Sequence, residues 1–352
     1  MGWYERPSTR DFYDQLPKVE LHRHLEGALR VDTLVEIARK QNLALPSTGR
    51  ELQALVQVQT AEALNSTVFL SKFQTLRQFF CSPEIITRVT REAIADARAD
   101  GVRYLELRFT PLALSRIRGF SLAEVMDWVC DSAAQAGREY DLPTNLIVSV
   151  NRHESVEIAE QVIDLALQRR ERGIVGLDLA GNEADFDALP FLEVFTEARA
   201  SGLHITVHAG EWNGPENVRQ AIEIFHADRI GHGVRVVEDP DVVACARESQ
   251  TAFEVCLTSN YQTGVVRSLQ EHPFLQMLAE GLNVTVNTDD PSISQIALSD
   301  EYRAVVEKFG LDRWKLQELI LSGARASFLA STEKQRLVHR LEAEFETVIH
   351  PE

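Results

Sequence analysis

The chain has 352 residues, 44% of them hydrophobic, enough to bury one large core, and no composition break marks a linker, so a single domain over 1–352 is expected. A formal net charge of −17 argues against nucleic-acid and anionic-membrane surfaces, both of which attract basic faces, and leaves a small molecule as the expected partner. Four cysteines without CxxC spacing (Cys81, Cys130, Cys245 and Cys256), a start "MGWYERPSTR" with no apolar run behind its charges, and no segment long enough to span a bilayer point to a cytoplasmic chain with reduced thiols.

In chain order, the first β-rich run is "KVELHRHL" (18–25). A long stretch from about 31 to 100 follows, with "FLSKFQTLRQFF" and the helical pattern "EIITRVTREAIADARAD" (84–100). Next come "VRYLELRF" (102–109), "NLIVSV" (145–150), a helical pattern over 155–171, and "GIVGLDLAG" (173–181). "HITVHAGE" (204–211), a helix over 215–225, "RIGHGV" (229–234), "AFEVCLTS" (252–259) and "LNVTVNTDD" (282–290) complete the series. Eight strands alternating with helices imply parallel pairing through right-handed crossovers and a closed (β/α)8 TIM barrel. A doubly wound open sheet competes, but no Gly-rich phosphate turn follows the first strand.

The unusual polar residues fall at strand ends, where such a barrel builds its active site. His22 and His24 end the first strand, His208 and Glu211 the fifth, His232 the sixth, Asp289 and Asp290 the eighth. Side chains two apart on a strand share a face. If His22 and His24 point inward, then Val19, Leu21 and Arg23 point outward, with the Arg23 stem lying along apolar surface. The same phase turns His204, Thr206 and His208 inward on the fifth strand, and Asn287 and Asp289 inward on the eighth.

Three imidazoles and one carboxylate, His22, His24, His208 and Asp289, make a borderline-soft site with a place left for water, which suits one catalytic Zn2+ per chain. A second metal is not expected, because the fourth strand offers no lysine to become a bridging carbamate; Asp178 there reads as a structural buried carboxylate. Each motif has an ordinary reading alone, since HxH is a weak signal and "NTDDP" favours a turn. Together those readings require repeated coincidence at one end of the strands. His153, His204, His226, His272, His339 and His350 take core, surface or terminal roles.

The motifs "PKVELHRHLEGAL", "FLSKF", "YLELRFTP", "GLDLAGNE", "ITVHAGE", "RIGHGVR", "EVCLTSNYQTG" and "NTDDPSI" together resemble the adenosine deaminase family of the amidohydrolases, from Leu16 to the C-terminal helices. The resemblance implies hydrolytic, zinc-dependent deamination at C6 of a 6-aminopurine nucleoside. It casts Glu211 as the acid that protonates N1, and His232 as the group that orients the attacking water or takes its proton and stabilises the oxyanion. Asp290 matches the contact to N7, and the Gly181 N–H the contact to N3. His24 and Glu26 fall on the substrate side, and Phe69 and Phe73, four apart on one helical face, match apolar positions of a helical lid inserted after the first strand, within 31–100.

One position departs from the adenosine-type pattern: Glu26 stands where Asp is usual, as in related deaminases of adenine and of 6-amino-6-deoxyfutalosine. "CLTSNYQTG" and "HRHLEGALR" are more like bacterial adenosine deaminases, so adenosine is the expected substrate, with 2'-deoxyadenosine beside it. A nucleoside-binding protein on a dead barrel would have lost a ligand or the acid, and all are present. The PCxxC pair of cytidine-type zinc deaminases is absent.

Overall fold

The computed structural model describes residues 11–46 and 48–349; the opening segment "MGWYERPSTR" and His350 lie outside the described residues. Eight strands, β1 (Lys18–His24), β2 (Val102–Phe109), β3 (Thr144–Asn151), β4 (Ile174–Ala180), β5 (His204–Ala209), β6 (Arg229–His232), β7 (Ala252–Val255) and β8 (Asn283–Val286), pair in sequence order. Every pairing is parallel. The ring closes where Leu21 N–H donates to Asn287 Oδ1 (2.8 Å) and where His22 and His24 exchange backbone hydrogen bonds with Asp289 (2.9 Å each). This is the (β/α)8 barrel read from the sequence. Its strands are buried almost throughout because helices cover the outside and side chains fill the inside.

Strand ends differ most from the sequence reading in two places, and β5 and β6 each stop two residues short of the runs read as strands. β7 stops at Val255, and "LTSNYQ" winds into a helix, Leu257–Gln262, because the buried Glu301 carboxylate accepts the N–H groups of Leu257 (2.8 Å) and Thr258 (3.1 Å) that open it. β8 stops at Val286, and Asp289 follows it with φ +66, held by the bonds to β1. In β1 a register shift between Glu20 and Arg23 disturbs the alternation. Arg23 reaches out to Ala93 O of the helix Pro83–Ala99 (3.1 Å), with Glu20 as its ion-pair partner (2.9 Å), so its charge is compensated rather than merely snorkelled. His204 is exposed and stacked on Phe328, away from the site.

The long connection after β1 folds into helices Val31–Lys40, Gly49–Val56 and Ser66–Leu76, then Pro83–Ala99. Asn65 caps the third by accepting from Val68 N–H (2.9 Å), and Ser82 with Pro83 starts the fourth. The fourth packs on the helix Leu122–Glu139 as part of the barrel's outer ring; the third lies at the mouth, where Phe69 is buried and Phe73 half-buried, rings 6.5 Å apart, and the first two pack behind it. Among the described residues, no helix is long and apolar enough to cross a membrane.

Beneath the mouth the barrel interior is ionic. Arg108 joins Glu254 (2.7 Å) to Asp178 (3.3 Å), and Arg229 joins Glu254 (2.5 Å) to Glu106 (2.6 Å). All five are fully buried, an arrangement tolerable only because each charge meets an opposite one. Three carboxylates against two guanidiniums leave surplus negative charge directly under the histidines.

Candidate active site

The histidine-bearing strand ends converge as their positions in the sequence require. Ligand atoms of His22, His24, His208 and Asp289 all lie within 4.8 Å of one another. His22 Nε2 is 3.2 Å and His24 Nε2 3.4 Å from Asp289 Oδ1.

Whether these residues fit a metal is decided by their other atoms. His22 Nδ1 is bonded to Glu254 Oε2 (2.7 Å) and His208 Nδ1 to Asp178 Oδ1 (2.8 Å); each Nδ1 keeps its proton and donates it to the carboxylate, which leaves Nε2 as the free lone pair. His22 Nε2 is buried with no hydrogen-bond partner. Ser259 Oγ donates to Asp289 Oδ2 (2.7 Å), leaving Oδ1 facing the imidazoles. Burial alone would raise the Asp289 carboxyl, but the imidazoles of His22, His232 and His24 packed around it hold it well below the usual range. Burial keeps the His24 imidazole neutral. Neutral nitrogen, ionised carboxylate and an orphaned buried lone pair are the donor set a divalent cation such as zinc uses.

Above this cluster opens a half-enclosed cavity. His24, Glu26, Phe69, Phe73, Gly181, His208, Glu211, His232, Asp289 and Asp290 line it; His22 lies beneath, fully buried. Glu211, just past β5, is pushed well above the ordinary carboxylate range by burial and then by the negative charges of Asp289 and Glu183. His232, with φ +59 at the end of β6, sets Nε2 3.6 Å from Glu211 Oε2 and 3.9 Å from Asp289 Oδ2. Asp290 is likewise raised, first by burial, and its Oδ1 has no partner. Gly27 makes room for it: a Cβ there would stand 1.8 Å from Asp290 Oδ1. Glu26 Oε1 accepts the Thr110 N–H (2.7 Å), and its Oε2 is buried without a partner.

The sequence model of the adenosine deaminase family matches residues 17–344. The chain belongs to the adenosine deaminase family. It is 37% identical over 327 residues to an adenosine deaminase of Klebsiella pneumoniae, covering 93% of this chain and 98% of the relative, and 34% identical over 328 residues to one of Enterococcus faecalis, covering 93% and 96%. Among solved structures, it superposes on an adenine deaminase from Arthrobacter aurescens with TM-score 0.87 at 28% identity, covering 94% of this chain and 99% of that one. A zinc-bound amidohydrolase from Burkholderia ambifaria gives 0.88 at 26%, covering 99% and 96%. The N6-methyl-AMP deaminase of Arabidopsis thaliana gives 0.82 at 28%, covering 94% and 98%.

Set beside that family, the site shows residues the sequence reading passed over. Glu254, a lone carboxylate in the apolar run "AFEVCL", anchors His22, and its signal was the cost of burying it unpaired. Asp178, read as structural, anchors His208. Glu183, immediately after β4, is buried and accepts N–H bonds from Gly210 (2.9 Å), Glu211 (2.6 Å) and Trp212 (2.7 Å). Arg152, after β3, donates to His208 O (2.5 Å). The loop that carries Glu211 is thus clamped from two neighbouring strands. We expect Glu183→Gln, which presents an amide N–H to those donors, to lower kcat by about 10²-fold, the cost of a misplacement near 1 Å, with inosine affinity unchanged; steady-state kinetics and calorimetry check this.

Proposed function

We propose that the chain hydrolytically deaminates adenosine and 2'-deoxyadenosine to inosine or deoxyinosine plus ammonia, using one zinc per chain held by His22, His24, His208 and Asp289. The observation that carries this is the convergence of that donor set, a raised-pKa Glu211 and a raised-pKa Asp290 on one cavity. Zinc bound there would acidify a water and act as a Lewis acid on the oxygen side of C6.

The chain's own residues account for the rest. A protonated Glu211 places its proton on purine N1, so that addition of water at C6 meets less aromatic resistance; the carboxylate this leaves takes a proton from the adding water, hands it to the departing ammonia as the C6–N bond breaks, and recovers its own from the new C6 hydroxyl as C6=O forms. Asp290, also protonated by its burial, donates to N7, where an ionised carboxylate would only face another acceptor. The Gly181 N–H takes N3. His232 stands beside the incoming oxygen, to orient it and to answer its charge. Phe69 and Phe73 on the cap exclude water, which strengthens each of these contacts. His24 and Glu26 take the sugar side; Glu26 Oε2, unpartnered and buried, supplies the acceptor for a sugar hydroxyl.

Glu26 also sustains a second reading, deamination of adenine or of 6-amino-6-deoxyfutalosine, because it is one methylene longer than the usual Asp. The two separate on kcat/KM for ammonia release from adenosine, 2'-deoxyadenosine, adenine and aminodeoxyfutalosine. Adenosine is expected to lead by tenfold or more, about 1.4 kcal/mol of transition-state binding, and Glu26→Asp to keep that order. A lead by adenine or the futalosine compound that Glu26→Asp reverses would make Glu26 the specificity switch.

A further inference from the structure

A chain of three buried side chains runs from the barrel's flank to His232. It begins at a proton whose position is fixed by the backbone. The N–H of Phe274 donates to His272 Nδ1 (3.1 Å), so Nδ1 is an acceptor and, in a neutral ring, the proton sits on Nε2. His272 is neutral, because burial drives its imidazole down to about 3. His272 Nε2 lies 3.2 Å from Asn260 Oδ1, and an N–H there can only donate to the carbonyl oxygen. That settles the amide's orientation, which side-chain shape alone does not. Asn260 Nδ2 is therefore the atom 3.1 Å from His232 Nδ1, and two donors do not bond. His272, Asn260 and His232 are all buried, so no bulk water intervenes to relax the sequence.

We infer that Asn260 and His272 are positioning residues that lock His232 in the tautomer with its proton on Nε2, so that His232 serves the reaction as a hydrogen-bond donor to the oxygen gaining charge at C6 and not as the base that deprotonates water. Nε2 is the nitrogen turned toward Glu211 and Asp289, the side on which that oxygen must arrive. With Nδ1 occupied by an amide donor and Nε2 already protonated, the ring has no lone pair to offer. This deepens the reading of His232 given above and rests on it.

Asn260→Asp inverts the arrangement with almost no change of shape. The new carboxylate still accepts from His272, but it draws the His232 proton to Nδ1 and leaves Nε2 a bare acceptor. The donor role predicts that kcat for adenosine falls by about 10²-fold or more, the loss seen when one oxyanion donor is removed, with KM, zinc content and inosine affinity near wild type. A merely structural role would lower zinc content and nucleoside affinity together with kcat. A base role predicts the opposite sign, an unchanged or higher kcat, and that result would overturn the inference. Neutron diffraction from the zinc-loaded wild-type protein needs no variant: deuterium on His232 Nε2 and His272 Nε2 supports the assignment, and deuterium on His232 Nδ1 overturns it. Failure of the wild-type enzyme to deaminate any 6-aminopurine would instead contradict the functional reading itself.

Discussion

Glu211→Gln is expected to lower kcat for adenosine by about 10³-fold, within the range that a positioned acid contributes, while zinc content and inosine binding stay close to wild type. Glutamine keeps the shape and the hydrogen-bonding reach of glutamate but cannot deliver a proton to N1. The pH profile carries the same information with a definite sign. An acid that protonates N1 must itself be protonated, and burial together with neighbouring negative charge raises the Glu211 pKa, so wild-type activity is expected to fall as pH rises through that raised value. The Gln variant lacks this limb. Equal kcat in the two proteins would remove Glu211 from the chemistry.

The second large effect concerns the metal cluster. His208→Ala removes the imidazole that Asp178 holds in place, and it is expected to lose bound zinc and about 10⁴-fold or more of the activity, as when one member of an interdependent set is deleted. Asp178→Asn acts one step further out. It weakens the orientation of His208 without removing the nitrogen, and a loss of about 10- to 100-fold in zinc affinity is expected. Elemental analysis and competition with a chelator measure both. Full zinc occupancy in His208→Ala would remove His208 from the ligand set.

The barrel and the convergence of His22, His24, His208 and Asp289 were legible in the sequence for a physical reason. His22, His24, His208 and Asp289 sit at the ends of runs whose composition and spacing mark them as strands, and a parallel barrel brings all such ends to one mouth. The supports were less legible, because each depends on a partner remote in sequence. Glu254 finds His22 across 232 positions and Glu301 reaches Leu257 across 44. Neither distance leaves a local pattern. The strand ends at Val255 and Val286 were over-extended for the same reason: "CLTS" and "NTDD" have strand-like or turn-like composition, and their geometry is imposed by Glu301 and by the bonds between Asp289 and β1. His272, grouped by sequence with histidines of core, surface or terminal roles, is buried in the core, and its link through Asn260 to His232 joins separate segments and leaves no local pattern.

One-zinc deamination of adenosine is tested most directly by zinc titration of metal-free protein, following inosine and ammonia. It predicts no turnover without metal, a linear rise with added zinc that breaks at one zinc per chain, and one ammonia released per inosine. Turnover by the metal-free protein, a break at two zinc ions per chain, or no inosine at full occupancy would contradict it.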